Sequence, residues 1–244
     1  MRILIISDIH ANLGALDKVL IDAGTFDKVW CLGDVVGYGP QPNITIERLR
    51  SLDALCIAGN HDWAVLDRLD LDEFNPEARK AVLWTRQQLD LINLEWLKQL
   101  PERVPTQAEK FSLIHGSPRY PIWEYILTPP IARANFEYFD TPFCFFGHTH
   151  VPIIYQFSEK EGRAIAHELP EILSVPLGPE KMLVNPGSVG QPRDGDTRAA
   201  YAILNLDSMT LTHHRVRYDI KSTQVKMQQA GLPSRLIQRL GQGW

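Results

Sequence analysis

The hydrophobic positions of this chain fall into short runs, and several of those runs end on the same kinds of residue. Met1 to Ile6 reads M-R-I-L-I-I, a pattern that predicts a strand over residues 2–7 buried on both faces. Asp8 and His10 follow at once. Side chains two apart on an extended chain point the same way, so these two are expected to reach one point from a rigid base. Ala11 to Ala23 carries Leu13, Leu16, Val19 and Leu20 at helical spacing and stops at Gly24. Lys28 to Leu32 predicts a second strand, ending in Gly33-Asp34. Gly37, Gly39 and Pro40 mark a loop, and Asn43 to Leu52 a helix. Ala54 to Ala58 predicts a third strand, ending in Gly59-Asn60-His61-Asp62. Such a β-α-β-α-β opening predicts parallel strands with right-handed crossovers. Open α/β sheets place their ligand sites at the carboxyl ends of those strands.

From Trp63 to Leu100 the periodicity is helical, with Asn75-Pro76-Glu77 as a helix start and Trp84, Leu91, Leu94, Trp96 and Leu97 as expected core residues. Phe111 to Ile114 predicts a strand ending in His115-Gly116-Ser117-Pro118. A helix is expected near Ile131 to Tyr138, and a strand over Phe143 to Phe146 ends in Gly147-His148-Thr149-His150. The rest reads more β than α: strands at 153–157, 163–168, 182–184, 199–206 and 210–216, then helices near 220–230 and 233–240. Asn185 to Asp196 is a polar loop rich in Gly and Pro. His167, His213 and His214 read as strand surface, and Asp67, Asp70, Asp72 and Glu73 as a solvated acidic face. With no repeat, low-complexity tract or flexible linker in view, one domain over residues 1–244 is expected.

Composition narrows the class. Over 244 residues the hydrophobic fraction is 44% and the charged fraction 22%, as in soluble globular chains. The net charge of −4 supplies no basic footprint, so no long nucleic acid is expected as a partner. Apolar runs are strand-sized, far below the ~20 residues of a membrane span, so no membrane partner is expected. The short first run passes straight into Asp8 and does not resemble a signal peptide. Cys31, Cys56 and Cys144 lie inside apolar runs without C-x-x-C spacing, which suits a reducing compartment; a cytoplasmic location is expected.

Five predicted strands thus end on metal-ligand types: Asp8 and His10, Asp34, Asn60 and His61, His115, and His148 and His150. A lone Gly-Asp is ordinarily a turn and a lone His an ordinary polar group. Five in succession at strand ends are not explained that way. Together, D8-I-H10, G33-D34, G59-N60-H61-D62, H115 and G147-H148-T-H150 resemble the calcineurin-like metallophosphoesterases, over residues 3 to about 150. The segment N185-P-G-S-V-G-Q-P-R-D-G-D196 is similar to a C-terminal signature of a bacterial and archaeal phosphodiesterase subgroup.

That resemblance implies an α/β fold, a two-sheet β-sandwich flanked by helices, with the site at the strand ends. It implies a dinuclear centre in which Asp8, His10 and His150 bind one metal, Asn60, His115 and His148 bind the other, and Asp34 bridges them. Imidazole with carboxylate or amide oxygen suits divalent transition metals: manganese is favoured, with iron, zinc, nickel and cobalt as alternatives. The implied activity is hydrolysis of a small phosphate ester by a hydroxide shared between the metals. His61 is implied as the catalytic residue on the leaving-group side.

Departures from better-known branches bear on the substrate. Protein phosphatases of this superfamily, and the dinucleoside-tetraphosphate hydrolases, carry an Arg that clamps phosphate. In G33-D34-V-V-G37-Y38-G39 that position is Tyr38, and the Asp that orients the general acid is Gly37. A phenol does not replace a bidentate guanidinium. A phosphodiester, with one non-bridging charge, is therefore favoured, unless Arg193 supplies the missing cation. A phosphomonoesterase acting on nucleotides or small metabolites is the alternative, and a non-catalytic binding scaffold the alternative from another class. Substrate contacts are expected from Asn12, Tyr38 and Arg193, although Asn12 also suits a helix cap and Arg193 a surface ion pair. Asp62 suits either a partner of His61 or a helix cap. Tyr120, Trp123 and Tyr125 suit either a wall for a base or aryl group, or buried loop anchors.

Overall fold

The computed structural model describes residues 1–106 and 110–244. In chain order the elements are β1 (Arg2–Ile6), α1 (Leu13–Ala23), β2 (Lys28–Cys31), α2 (Pro42–Ser51), β3 (Leu55–Cys56), α3 (Asn60–Val65), α4 (Pro76–Gln88) and α5 (Leu91–Lys98). Then come β4 (Arg103–Thr106), β5 (Phe111–Ile114), α6 (Pro129–Asn135), β6 (Phe143–Phe145), β7 (Ile153–Ser158), β8 (Arg163–Glu168) and β9 (Ser174–Pro176). The chain ends with β10 (Met182–Asn185), β11 (Ala199–Asn205), β12 (Thr210–Val216), α7 (Ile220–Gln229) and α8 (Ser234–Arg239).

Two six-stranded mixed sheets result, in the orders β3-β2-β1-β11-β12-β9 and β4-β5-β6-β10-β7-β8. The first three strands run parallel, as the β-α-β-α-β pattern requires. In the second sheet β5, β6 and β10 run parallel. Alternation along β1 divides the core: Ile3 and Ile5 face the second sheet with Trp30, Phe111 and Phe145, while Leu4 and Ile6 face the helical layer with Leu16, Val19 and Val82. Burial of β1 on both faces follows from its place in the middle of three layers. On the outer face of the second sheet, α6 packs against β7 and β8 through Ala132 and Phe136. Among the described residues no helix is long and apolar enough to cross a membrane.

Three local expectations need correction. Strands β4 and β9 lie where no strand was expected, and each contains a proline, Pro105 and Pro176. Both are edge strands, the place where a missing N–H costs little. Leu91 is not a core residue but 78% exposed, because it opens α5 directly after the Asp90 cap and faces outward. His213 is not strand surface but 1% exposed. It lies two residues from the buried Leu211 on the same face of β12, and residues 171–172 pair with the backbone there, Ile172 N donating to His213 O at 2.8 Å.

Candidate metal centre

Asp8 and His10 leave β1, Asp34 leaves β2, Asn60 opens α3 just past β3, His115 leaves β5, and His148 and His150 leave β6. All seven point into one buried region between the carboxyl ends of the strands. The turns that aim them are strained: Asp8, His10, Asp34, His148 and His150 all have φ between 50° and 65°. Left-handed backbone at non-glycine residues costs on the order of 1 kcal/mol or more each, and it persists only where the surroundings over-determine it. Here they do. Asp8 N donates to Gly33 O at 3.1 Å, His10 N to Asp34 O at 2.9 Å, and His148 N to both Asp8 carboxylate oxygens at 3.1 and 3.2 Å. Gly59 is required by close approach, since a Cβ there would lie 2.1 Å from Asp34 Oδ1.

Two groups share Asp34. In one, the ligand atoms of Asp8, His10, Asp34 and His150 lie within 4.8 Å of one another; in the other, those of Asp34, His115 and His148 do. Asn60 joins the second group through Oδ1, 3.1 Å from His115 Nε2. Asp34 Oδ2 lies 3.5 Å from both His10 Nε2 and His115 Nε2. The far side of each imidazole shows what these contacts are. His10 Nδ1 meets Val36 O at 3.2 Å, His115 Nδ1 meets Leu32 O at 2.8 Å, His150 Nδ1 meets Gln191 O at 2.6 Å, and His148 Nε2 meets Trp123 O at 3.1 Å. A carbonyl only accepts, so each of those nitrogens carries the ring hydrogen. The inward nitrogens are then lone pairs facing carboxylate and amide oxygens. Inward atoms such as His10 Nε2 and His150 Nε2, 3.2 Å apart, have no hydrogen to share. A cation at the centre of each group would turn that repulsion into coordination, so both donor sets fit a divalent metal.

Electrostatics agree. Burial first, and then the Asp34 charge beside it, push the Asp8 carboxyl up to about 7. Burial and Asp62 hold Asp34 well above the carboxylate range. Burial drives His10, His148 and His150 well below the usual imidazole range. These three imidazoles are thus held neutral, the form that ligates.

The 185–191 segment braces both ligand loops, a role its composition did not reveal. Asn185 Nδ2 donates to Gly147 O at 2.7 Å and to Thr149 Oγ1 at 3.0 Å. Ser188 Oγ donates to Asp8 O at 2.8 Å, and Gln191 O is the carbonyl on His150.

Above the donors lies a pocket of about 300 Å³ whose walls include Asp34, Asn60, His61, Tyr38 and Arg193. Tyr38 packs its ring 4.5 Å from that of His10 and 4.3 Å from that of His61. Arg193 places Nη2 3.4 Å from Tyr38 Oη and 3.1 Å from Gln191 Oε1, with no carboxylate among its contacts in the described residues. The surface ion pair falls instead to its neighbour Asp194, which pairs with Arg215. Asn12 does not line this pocket: Oδ1 accepts from Ala15 N at 3.3 Å to cap α1, and Nδ2 donates to Gly190 O and Tyr218 Oη. Asn12 thus serves the helix cap that its position also suited. Asp62 is a brace, accepting from Gly59 N at 2.9 Å and from Val35 N and Val36 N. Trp123 and Tyr125 reach the pocket, whereas Tyr120 is 59% exposed away from it. Phe74 also lines it, and no sequence signal separated Phe74 from an ordinary helix-flanking aromatic.

A model of the calcineurin-like phosphoesterase superfamily domain matches residues 1–209. An uncharacterized protein of Methanocaldococcus jannaschii is 40% identical over 243 residues, which cover 98% of this chain and 96% of that protein. The crystal structure of a metallophosphoesterase from Sphaerobacter thermophilus superposes with a TM-score of 0.91 at 50% identity, covering 100% of this chain and 99% of that one. A hypothetical protein from Pyrococcus horikoshii shares the fold with a TM-score of 0.79 at 21% identity, over 100% of this chain and 98% of that one.

Proposed function

The chain belongs to the calcineurin-like phosphoesterase superfamily, and from that premise we propose that it is a dinuclear metal-dependent phosphodiesterase acting on a small phosphodiester. The observation that carries the proposal is the pair of donor groups, each with inward imidazole lone pairs, joined by Asp34. Asp8, His10 and His150 would hold one divalent ion, Asn60, His115 and His148 the other, and Asp34 both. When bound, the two ions supply Lewis acidity, which makes water nucleophilic near neutral pH and neutralises charge on phosphoryl oxygens.

The chain's own residues do the remainder. Carbonyls of Leu32, Val36, Trp123 and Gln191 lock the four imidazoles in the ligating tautomer. His61 lines the pocket with its backbone N–H fixed on Asp34 Oδ1 at 2.8 Å, so its ring position is tied to the bridge. It would give a hydrogen bond to the departing alcohol oxygen. Arg193 brings one unneutralised guanidinium to the pocket, and Tyr38 beneath it adds no second charge. Both bonds of Arg193 run from Nη2, to Tyr38 Oη and Gln191 Oε1, so the guanidinium offers no free bidentate fork for a doubly charged monoester, and the single non-bridging charge of a diester is the better match.

The test is kcat/KM of the manganese-reconstituted protein on bis-p-nitrophenyl phosphate against p-nitrophenyl phosphate. The diester is expected to be favoured at least about tenfold, since each 1.4 kcal/mol of discrimination gives that factor. Preference for the monoester would make Arg193 the functional replacement for the absent clamp and the protein a phosphomonoesterase. Turnover of neither would remove the enzymatic assignment.

A further inference from the structure

One wall of the pocket is aromatic and rigid, and metal chemistry does not need it. Trp123 and Tyr125 come from the loop after β5, and Phe74 from the segment before α4. Phe74 stands edge-on to His61 at 5.4 Å between ring centroids and to Trp123 at 5.0 Å. Tyr125 lies flat over His148, 3.8 Å away at 22°, and remains 40% exposed. The aromatic surface thus runs unbroken from His61, on the leaving-group side, out to solvent.

The residue between the two loop aromatics shows that the surface is built. Glu124 turns away from the pocket and is held by Ser117 Oγ at 2.6 Å, Asn135 Nδ2 at 2.9 Å and an ion pair with Arg119. Its neighbours on either side line the pocket. Trp123 is fixed a second time by its carbonyl on His148. Loop anchors would be buried; Tyr125 is held in place and left open.

We propose that this bank binds the base of a nucleoside, so that the substrate is a phosphoester with a nucleoside as one alcohol arm; this rests on the phosphoesterase assignment above. Rigid aromatic faces suit any planar ring, but the rim selects among them. Glu73 and Asn75 border the pocket beside Phe74. Asn75 uses Oδ1 to cap α4, which leaves its amide N–H groups for a ligand. A carboxylate repels phosphate, so the Glu73 end fits an uncharged arm that carries N–H donors, as a purine or pyrimidine does and a simple aryl or alkyl group does not.

Calorimetric titration of the manganese-loaded protein with AMP and with ribose 5-phosphate isolates the base, because the two share the phosphate and sugar. AMP is expected to bind roughly tenfold or more tightly, the range of one base stacked on an aromatic side chain. Trp123→Ala and Tyr125→Ala should each erase most of that difference while leaving ribose 5-phosphate unchanged, and Trp123→Phe should keep it. Metal analysis of each variant checks that His148 still ligates. Equal affinities in the unaltered protein, failure of both to bind, or equal losses for both in the variants would overturn the base site. If bis-p-nitrophenyl phosphate is still cleaved in any of those cases, the phosphoesterase assignment stands and only the nucleoside arm is lost.

Discussion

Gly37 runs directly beneath the ring of His61, so closely that a Cβ at residue 37 would lie 2.7 Å from His61 Nδ1. The backbone there has φ of 112°, open to glycine and strained for any other residue. His61 Nδ1 accordingly has no hydrogen-bond partner. Related phosphatases place a carboxylate at this position to orient the histidine; here the ring is oriented by packing between Tyr38 and Phe74 instead. Gly37→Asp is therefore expected to lower kcat at least about tenfold and to destabilise the fold by about 1–3 kcal/mol, through backbone strain and displacement of the ring. His61→Ala should lower kcat by roughly 10²–10⁴ with two metals retained, as loss of an acid–base group does. Steady-state kinetics with metal analysis checks both. A Gly37→Asp protein as active as the unaltered one would show that packing does not orient His61.

Asp34 should be the single side chain on which both metals depend. Its Oδ2 is 3.5 Å from His10 Nε2 and 3.5 Å from His115 Nε2, and those imidazoles belong to different donor groups. Asp34→Ala is expected to reduce bound metal from two ions to one or fewer, and activity to background. Replacement of His150, which serves one group, should spare the other ion. Metal quantification after gel filtration decides the matter, and two tightly held ions in Asp34→Ala would remove the bridge.

Asn185 makes its hydrogen bonds to Gly147, Thr149 and Gly187 rather than to a ligand side chain, yet it should govern metal affinity. It is fully buried, and its amide ties Gly147 O to Thr149 Oγ1, the backbone that aims His148 and His150. Asn185→Ala is expected to weaken metal binding by roughly 10–100-fold, as loss of outer-shell partners does. At saturating manganese kcat should stay within a few fold. A metal titration followed by activity reads both, and unchanged affinity would make the 185–191 segment a passive turn.

The seven donors were legible because each is a ligand type standing where an apolar run stops, and that coincidence survives without knowledge of contacts. The parallel opening was legible from the same runs, whereas the order of the strands in the two sheets was not. What was hidden depends on partners far away in sequence. Asn12 could cap α1 or face a substrate, and only Gly190 and Tyr218 decide it. Phe74 gains its position from Trp123, 49 residues on, which nothing local announces. Strands β4 and β9 were hidden by Pro105 and Pro176, which break the strand signal but are tolerated on a sheet edge. The burial of His213 was hidden because the face of β12 that it shares with Leu211 is covered by partners remote in sequence.

That buried His213 should set part of the acid stability. Neither ring nitrogen makes a hydrogen bond of full geometry, and burial, with Arg215 adding to it and the Pro186 backbone opposing, lowers the pKa from 6.5 to about 4. The unfolded chain therefore binds the proton more readily than the folded one between those values. Stability linked to His213 is fully present above about pH 6.5 and is lost as pH falls toward 4, by on the order of 3 kcal/mol in all. Below that the contribution is flat. His213→Met removes the titration and keeps an apolar body of similar size. Its stability relative to the unaltered protein should rise by about 1.4 kcal/mol per pH unit on acidification through this window. Guanidinium unfolding of both proteins at pH 7.5, 5.5 and 4.5, with chelator present so that metal loss does not contribute, measures the difference. Parallel decline of the two curves would mean that His213 takes up its proton in the folded state at no cost.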